Sequence, residues 1–483
     1  MRLFVVPLFI AVSICAAQGT PAASRTDPQR SFAAAEELMR AGKVSEAARA
    51  FEQVTRQRPE FAEAYFALGI ADVQLGKPAE AATALRSYLK LEPDSSDGHA
   101  VLGILLFNDG RLAEAQPELV EALRLDGTEI EAVKTLGRIY NLKGEPAKAI
   151  ALLRPLAASR AADDETRTAL ASALLSGGDA AAADKLLDGI LAANPHSPLQ
   201  TYILAARAAN ENHDFPKAFA ICERGTKVYP NSERLDALAV SFPEAAVIER
   251  TTQRIEWLKT HLRDVDEMIA VGRIIVADDK GKRKSSLDLA RALLARAVEL
   301  EPENASAWYF YGRCLAAQLK AEESGDAYRK GLACVRDDEL KLMLLGQIGF
   351  TETHFSHFDA ADAAFRESLE LNRKLEHHVP ESVFLYYQFL VLRERDAERH
   401  ALLDEILRWE PLFPPALLER AKDYVAREQP QKGLEDASLV ARNAEDPELQ
   451  RSAHFLLVKI YGMLGRSAEA QAHADWIKAH HAL

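Results

Sequence analysis

Cysteine is scarce in this chain, with four in 483 residues at Cys15, Cys222, Cys314 and Cys334. None belongs to a CxxC pair, which excludes a disulfide-dense scaffold and the usual zinc spacings. No stretch offers 18 uninterrupted apolar residues, the length that a membrane-spanning helix needs. Positive charge is in deficit: 59 Lys and Arg stand against 72 Asp and Glu, a net charge of −13. A surface that acidic repels phosphate backbones and anionic lipid, which argues against nucleic acid as a partner. Catalytic signatures are missing as well. There is no GxSxG, no HExxH, no phosphate-cradling GxxxxGK and no dinucleotide GxGxxG. No cofactor or metal is therefore expected. With 72 acidic residues a carboxylate pair can be drawn in many ways, so an enzyme with an unrecognised carboxylate site stays open as a remote alternative.

What the chain does have is enough apolar material, 48% of residues, to bury a core along most of its length. Its first residues read as an export signal. Met1-Arg2 is a short basic start, residues 3–15 are apolar, and Cys15 and Ala17 are small residues before a cut at Gln18. The run is short for a membrane span and its flank, residues 18–30, is polar; a retained anchor is the alternative. Val12-Ser13-Ile14-Cys15 also resembles a lipobox, with Ile14 where a small residue belongs. The expectation is an exported protein, periplasmic or secreted, with lipid anchoring at Cys15 as the lesser reading.

The remainder is periodic. Gly42, Gly76, Gly110, Gly144 and Gly178 follow one another at steps of 34, as do Ala47, Ala81, Ala115, Ala149 and Ala183. Gly69, Gly103 and Gly137 share that step and continue into Ala171, while Pro59 and Pro93 keep it and Pro195 lies three steps on. Four position classes in one register establish a repeat.

Each unit reads as two helices. Over residues 62–75 apolar side chains recur at i, i+3, i+4 and i+7. Gly76 closes that helix in a left-handed conformation, Pro78 suits the first turn of the next, and the second helix, residues 79–91, ends before Pro93. Small residues at Gly69 and Ala81 permit close approach of the two helices. One such hairpin cannot bury its apolar face alone, so neighbours must stack on it.

These residues resemble the tetratricopeptide repeat. The second unit supplies Tyr65, Leu68, Gly69, Ala81, Leu85 and Pro93; the third Leu102, Gly103, Leu106, Ala115, Leu119 and Ala122; the fourth Leu136, Gly137, Tyr140, Ala149 and Leu153. A later unit gives Trp308, Tyr311, Gly312, Leu315, Tyr328 and Gly331, and the last Leu457, Tyr461, Gly465, Ala470 and Ala474. The resemblance implies an all-α fold, a helix-turn-helix repeat solenoid wound as a right-handed superhelix. The expected organisation is a signal at 1–17, a linker at 18–27, a regular array at 28–230, an irregular helical connector at 231–263, and a degenerate array at 264–483. In the connector, Pro243 should open a long helix reaching Leu262. An enlarged turn at residues 280–286 should precede a helix at 287–300.

The resemblance also implies a protein-interaction scaffold, with partner peptides or helices held in a groove lined by first helices. Its groove positions fall on Phe66, Ile70, Val73, Ile104 and Phe107, an apolar strip, and then on Glu131, Lys134, Arg138 and Asn141. Apolar residues beside a basic pair would suit an amphipathic segment ending in a carboxylate or acidic side chain. The alternative is that the large residues merely pack against the neighbouring unit. The two-carboxylate clamp of some family members is not reproduced, because Lys134 is followed by Arg138, Ala169, Leu199 and Ile203. A second reading is an assembly component of a cell-envelope complex.

Lesser candidates carry a bland reading. Lys280, Lys282, Arg283 and Lys284 are expected to be a solvated turn and not an anion site. His354 and His357 flank an inter-helix turn and do not define a metal site, and His377-His378 and His480-His481 are weaker. Asn304-Ala305-Ser306 is a glycosylation sequon, and Cys314 and Cys334 should lie at different heights, unbonded. If Gly69 sits at the helix crossing, Gly69→Leu overpacks it and costs about 1–3 kcal/mol in a thermal or denaturant melt; an unchanged melt would misplace the crossing.

Overall fold

The computed structural model describes residues 28–480 apart from 160–161, 231, 279–283, 376–377 and 445, and leaves aside the side chains at 233, 278, 284 and 285. The export segment 1–17 with Cys15, the linker 18–27, the side chains of Lys280, Lys282, Arg283 and Lys284, and residues His377 and His481 fall outside the description. The described residues form 26 helices and no strand. The chain is an all-α solenoid of helical hairpins. It packs as two compact units whose limits do not coincide with the break in register at 231–264. One joins residues up to 161 with residues 427–483, and the other is 162–426.

The first unit contains four regular hairpins. In the second of them, helix Ala62–Gln74 packs on helix Pro78–Leu91, with Pro78 at the N-terminal turn as expected. The crossing is set by glycine. A Cβ on Gly69 would stand 2.8 Å from Leu85 Cγ, on Gly103 2.6 Å from Leu119 Cγ, and on Gly137 2.6 Å from Leu153 Cγ. Leu85, Leu119 and Leu153 are fully buried. Each leucine therefore occupies the space of the side chain that glycine lacks, and the two helices close to backbone contact.

Each hairpin turns through one left-handed residue. Gly76 has φ +68° and Gly110 φ +73°. Past Gly76 the Lys77 amide donates to the Asp72 carbonyl at 2.9 Å, and past Gly110 the Arg111 amide donates to the Leu106 carbonyl at 2.8 Å, satisfying carbonyls that the helix end leaves open.

The second unit keeps this geometry with other residues. His213, Leu319, Ser356 and Glu394 stand at φ between 54° and 60°. The amides of Lys320, His357 and Arg395 donate to Leu315, Glu352 and Leu390 at 2.9, 2.9 and 3.0 Å, the same bonds as in the glycine turns. The crossing persists as well, with Tyr328 against Gly312 and Phe365 against Gly349 in place of leucine. Degeneracy lies in residue identity and not in backbone.

At the register break the residues 231–263 form a short helix, Glu233–Ser241, and a long one, Glu244–Thr260, opened by Pro243 at its N-cap. Three hairpins are stitched together here by a buried cation. Arg273, 8% exposed, donates through Nε and Nη2 to Asp236 Oδ2 at 3.1 Å, bonds the Pro230 carbonyl, and lies 4.5 Å over the Phe310 ring. The following helix begins at Lys284, three residues before the expected 287, so Ser285 and Ser286 are helical and not part of the turn.

Two stability changes follow. A side chain at φ +60° costs about 1–2 kcal/mol over glycine, partly offset by glycine's chain entropy, and Leu319 is 92% exposed with nothing to lose. Leu319→Gly should therefore raise stability by about 0.5–1 kcal/mol in denaturant unfolding. Asp236→Ala leaves Arg273 buried without its carboxylate and should cost about 3–5 kcal/mol in the same assay.

Candidate functional site

The first helices Ala62–Gln74, Ser96–Asn108 and Ile130–Leu142 of the first unit carry all nine expected groove residues. Their 34-residue spacing brings equivalent positions to the same face of successive hairpins, and the structure sorts those positions by exposure. Phe66, Ile70, Val73 and Ile104 are half-buried. Phe66 leans on Tyr88 with ring centroids 5.0 Å apart, and Tyr88 is itself fixed by its hydroxyl on Ser95 Oγ at 3.0 Å. Phe66 is thus held on one side by Tyr88, and all four side chains keep part of their surface exposed.

Two expected lining residues are corrected. Phe107 is only 5% exposed, because the Arg138 guanidinium lies 4.8 Å over its ring. Lys134 is also 5% exposed, and its ammonium meets Glu131 Oε1 at 3.1 Å. A buried cation without a carboxylate would be costly, so the Glu131 partner one helical turn earlier is what permits Lys134 to sit there. Lys134 is thus ion-paired, and Arg138, half-buried, lies over a ring. Asn141 remains half-buried at the end of its helix.

The edge of the strip carries the opposite charge. Glu63, Asp97 and Glu131 occupy the same place in three successive units, 34 residues apart, in the first turns of the three helices. Glu129 adds a fourth carboxyl. Burial raises its pKa above the ordinary value, and Asp97, Asp126 and Glu131 raise it further. Those three carboxyls thus add a negative potential at Glu129. The spacing was legible in the sequence, but attention to the basic residues of the fourth unit hid the acidic row beside them.

The C-terminal end of the third helix, Ile130–Leu142, is contacted from elsewhere in the same unit. Arg442 Nη1 and Asn443 Nδ2, at the end of helix Pro430–Asn443, donate to the Leu142 carbonyl at 3.1 and 3.2 Å. The Arg442 side chain passes Gly144 so closely that a Cβ there would lie 3.3 Å from its Cδ. Three hundred residues separate these partners, and no local pattern announces them.

The lesser candidates settle as structural. His357 pairs with Glu352 at 2.8 Å, and no group of three or more metal-ligating side chains occurs among the described residues. Asn304 caps its helix, accepting from the Ala307 amide at 3.0 Å. Cys314, Cys334 and Cys222 are in no disulfide, and burial pushes the Cys222 thiol up to about 12. No helix among the described residues is long and apolar enough to cross a membrane.

Comparison with known proteins finds the repeat in part of the chain. The tetratricopeptide repeat model matches residues 32–96, 66–130 and 282–339. No curated protein matches the sequence. Among solved structures, yeast Tom70 is 14% identical, with 93% of this chain and 99% of that one covered and a TM-score of 0.41. The Pseudomonas aeruginosa protein pilF is 18% identical over 43% of this chain and 94% of its own, at 0.37. YrrB, described as a repeat protein with an unusual peptide-binding site, is 16% identical over 39% and 96%, at 0.36.

Proposed function

We propose that this chain, a tetratricopeptide-repeat protein, is an exported scaffold that holds an amphipathic partner segment, apolar on one face and basic along its edge, on the first helices of its second to fourth hairpins. The observation that carries the reading is the strip of half-buried Phe66, Ile70, Val73 and Ile104 beside the acidic row Glu63, Asp97 and Glu131. Apolar side chains open on one side gain by being covered, at roughly 25 cal/mol for each Å² removed from water. Carboxylates along the rim steer and orient a cationic segment more than they add affinity. The family expectation of an acidic partner rested on Lys134 and Arg138; with those engaged internally, charge complementarity favours the basic segment. The apolar run at residues 3–15 supports the exported part of the reading. Absence of catalytic motifs supports a scaffold over an enzyme.

A second reading, an envelope-assembly component anchored through Cys15, draws on Val12-Ser13-Ile14-Cys15. It requires the native protein to sediment with membranes and to release on lipoprotein extraction, which a cleaved signal does not.

The binding test uses two synthetic helical peptides of equal apolar face, one edged with Lys and Arg, the other with Asp and Glu, measured by fluorescence anisotropy. The basic peptide is expected to bind the wild type at least tenfold more tightly, and the preference should shrink with added salt. Phe66→Asp with Ile104→Asp, checked as folded by circular dichroism, should lose at least tenfold in affinity, and Glu63→Lys with Asp97→Lys should reverse the preference. Equal binding of both peptides, or tighter binding of the acidic one, overturns the reading.

A further inference from the structure

The last hairpin of the first unit, helices Pro447–Met463 and Ser467–Ala479, contains a column of rings that the binding strip does not use. The Arg466 guanidinium lies 4.7 Å over Tyr461, and Tyr461 stacks on His473 at 5.5 Å with planes 10° apart. His473 Nδ1 meets His454 Nδ1 at 2.9 Å across the hairpin. His454 stacks on Trp476 at 3.7 Å and 2°, and Trp476 on His480 at 4.1 Å and 14°. His454 is 7% exposed and His473 half-buried. Otherwise the final helix is thinly held, since Ile477 is its one buried residue. The imidazole bond and its stack are therefore a large part of what seats it.

A bond between two Nδ1 atoms has a strict proton count. One nitrogen must donate and the other accept, which a neutral pair or a singly protonated pair can do. A doubly protonated pair sets two N–H groups and two positive charges face to face at 2.9 Å. The surroundings oppose that state. Burial first, then His473 and His480, lower His454 to about 4, with the Ala441 carbonyl of the preceding helix alone favouring charge; burial lowers His473 too. Arg466 adds a cation beyond Tyr461. The carboxylate on the final helix nearest the end, Asp475, is engaged by Gln471 at 2.7 Å and Lys478 at 3.3 Å.

We propose that the His454–His473 pair is a proton-operated latch, which holds helix Ser467–Ala479 on helix Pro447–Met463 at neutral pH and releases it in acid. A released final helix leaves open part of the face that buries Ala453, Leu457 and Ile460, beside Phe455 and Met463, which are already 56% and 44% exposed. An apolar face uncovered in this way is open to other chains, so acid would make this part of the surface adhesive.

The sign follows from the lowered values. The open state binds protons that the closed state refuses between the ordinary histidine value of about 6.5 and the folded ones, so closure is complete above that window and is lost as pH falls through it. The opening constant of the final helix should rise by up to about tenfold per pH unit for each ring kept neutral. Hydrogen exchange on the full chain, corrected for intrinsic rates and compared at about pH 7.5 and about pH 5, should show protection over residues 467–479 falling at least tenfold while residues 62–74 are unchanged. His473→Asn retains a donor near the Nδ1 position and removes one of the two titrating rings, so its loss of protection should be clearly smaller than that of the wild type. Equal protection of the wild type at both, or the same loss in His473→Asn, overturns the latch. Should the variant fail to seat the helix even at about pH 7.5, an NMR titration of the wild type decides: both rings protonating near 6.5 refutes the proposal, and a ring remaining neutral to below about pH 5 supports it.

Discussion

The close approach of two helices at one small buried residue is the contact on which the regular hairpins of this chain depend, with Ala35 and Ala171 standing where three others have glycine. At Gly69, Gly103 and Gly137 the partner leucine fills the space a Cβ would take, and the same arrangement returns at Gly272 against Leu294. Backbones brought that near give each hairpin a fixed crossing, and a fixed crossing presents the next hairpin with a repeatable apolar surface. Stability then accumulates between neighbours, since no hairpin covers its own face. The left-handed turn residue serves the same end: it sets the angle from which the second helix returns to the glycine.

Where the repeat signal fades, ionic links between helices accompany the apolar crossing. In the second unit, burial works against the charge of Asp362, but hydrogen bonds from Arg366, Arg395 and Tyr386 hold its pKa below the ordinary value. Those partners come from helices Phe358–Asn372 and Pro380–Leu392 and from the N-cap of helix Asp396–Trp409. Arg373 reaches Glu405 with two parallel bonds of 2.7 and 2.8 Å. Half-exposed pairs of this kind contribute little singly, about 0–1 kcal/mol, and more as a network with bidentate geometry. The fully buried Arg273–Asp236 pair is different in kind, because loss of either partner strands a charge.

Much of the fold could be read in the chain because it depends on spacing. The 34-residue step located the crossing glycines, the turn glycines and the helix limits to within one or two residues. Beyond Pro230 the step is lost, since Leu319, Ser356 and Glu394 do a glycine's conformational work without a glycine's identity. The groove positions were found by analogy of place, and burial then divided them: Ile70 and Ile104 stay half-open, while Phe107 and Lys134 are closed over by Arg138 and Glu131. Side chains one turn apart decide that outcome, and periodicity does not encode it. Contacts between distant segments, such as Arg442 on the Leu142 carbonyl or His454 on His473, leave no local trace at all.

Family and fold make this a protein-interaction scaffold, and the proposed surface on it is the apolar strip with its acidic edge. A hydrogen-exchange footprint of the full chain with a saturating basic amphipathic peptide tests that placement most directly. The account predicts added protection concentrated in helices Ala62–Gln74 and Ser96–Asn108, with little change in the second unit. Protection confined to the second unit, or absent from both of those helices while the peptide is demonstrably bound, would contradict it.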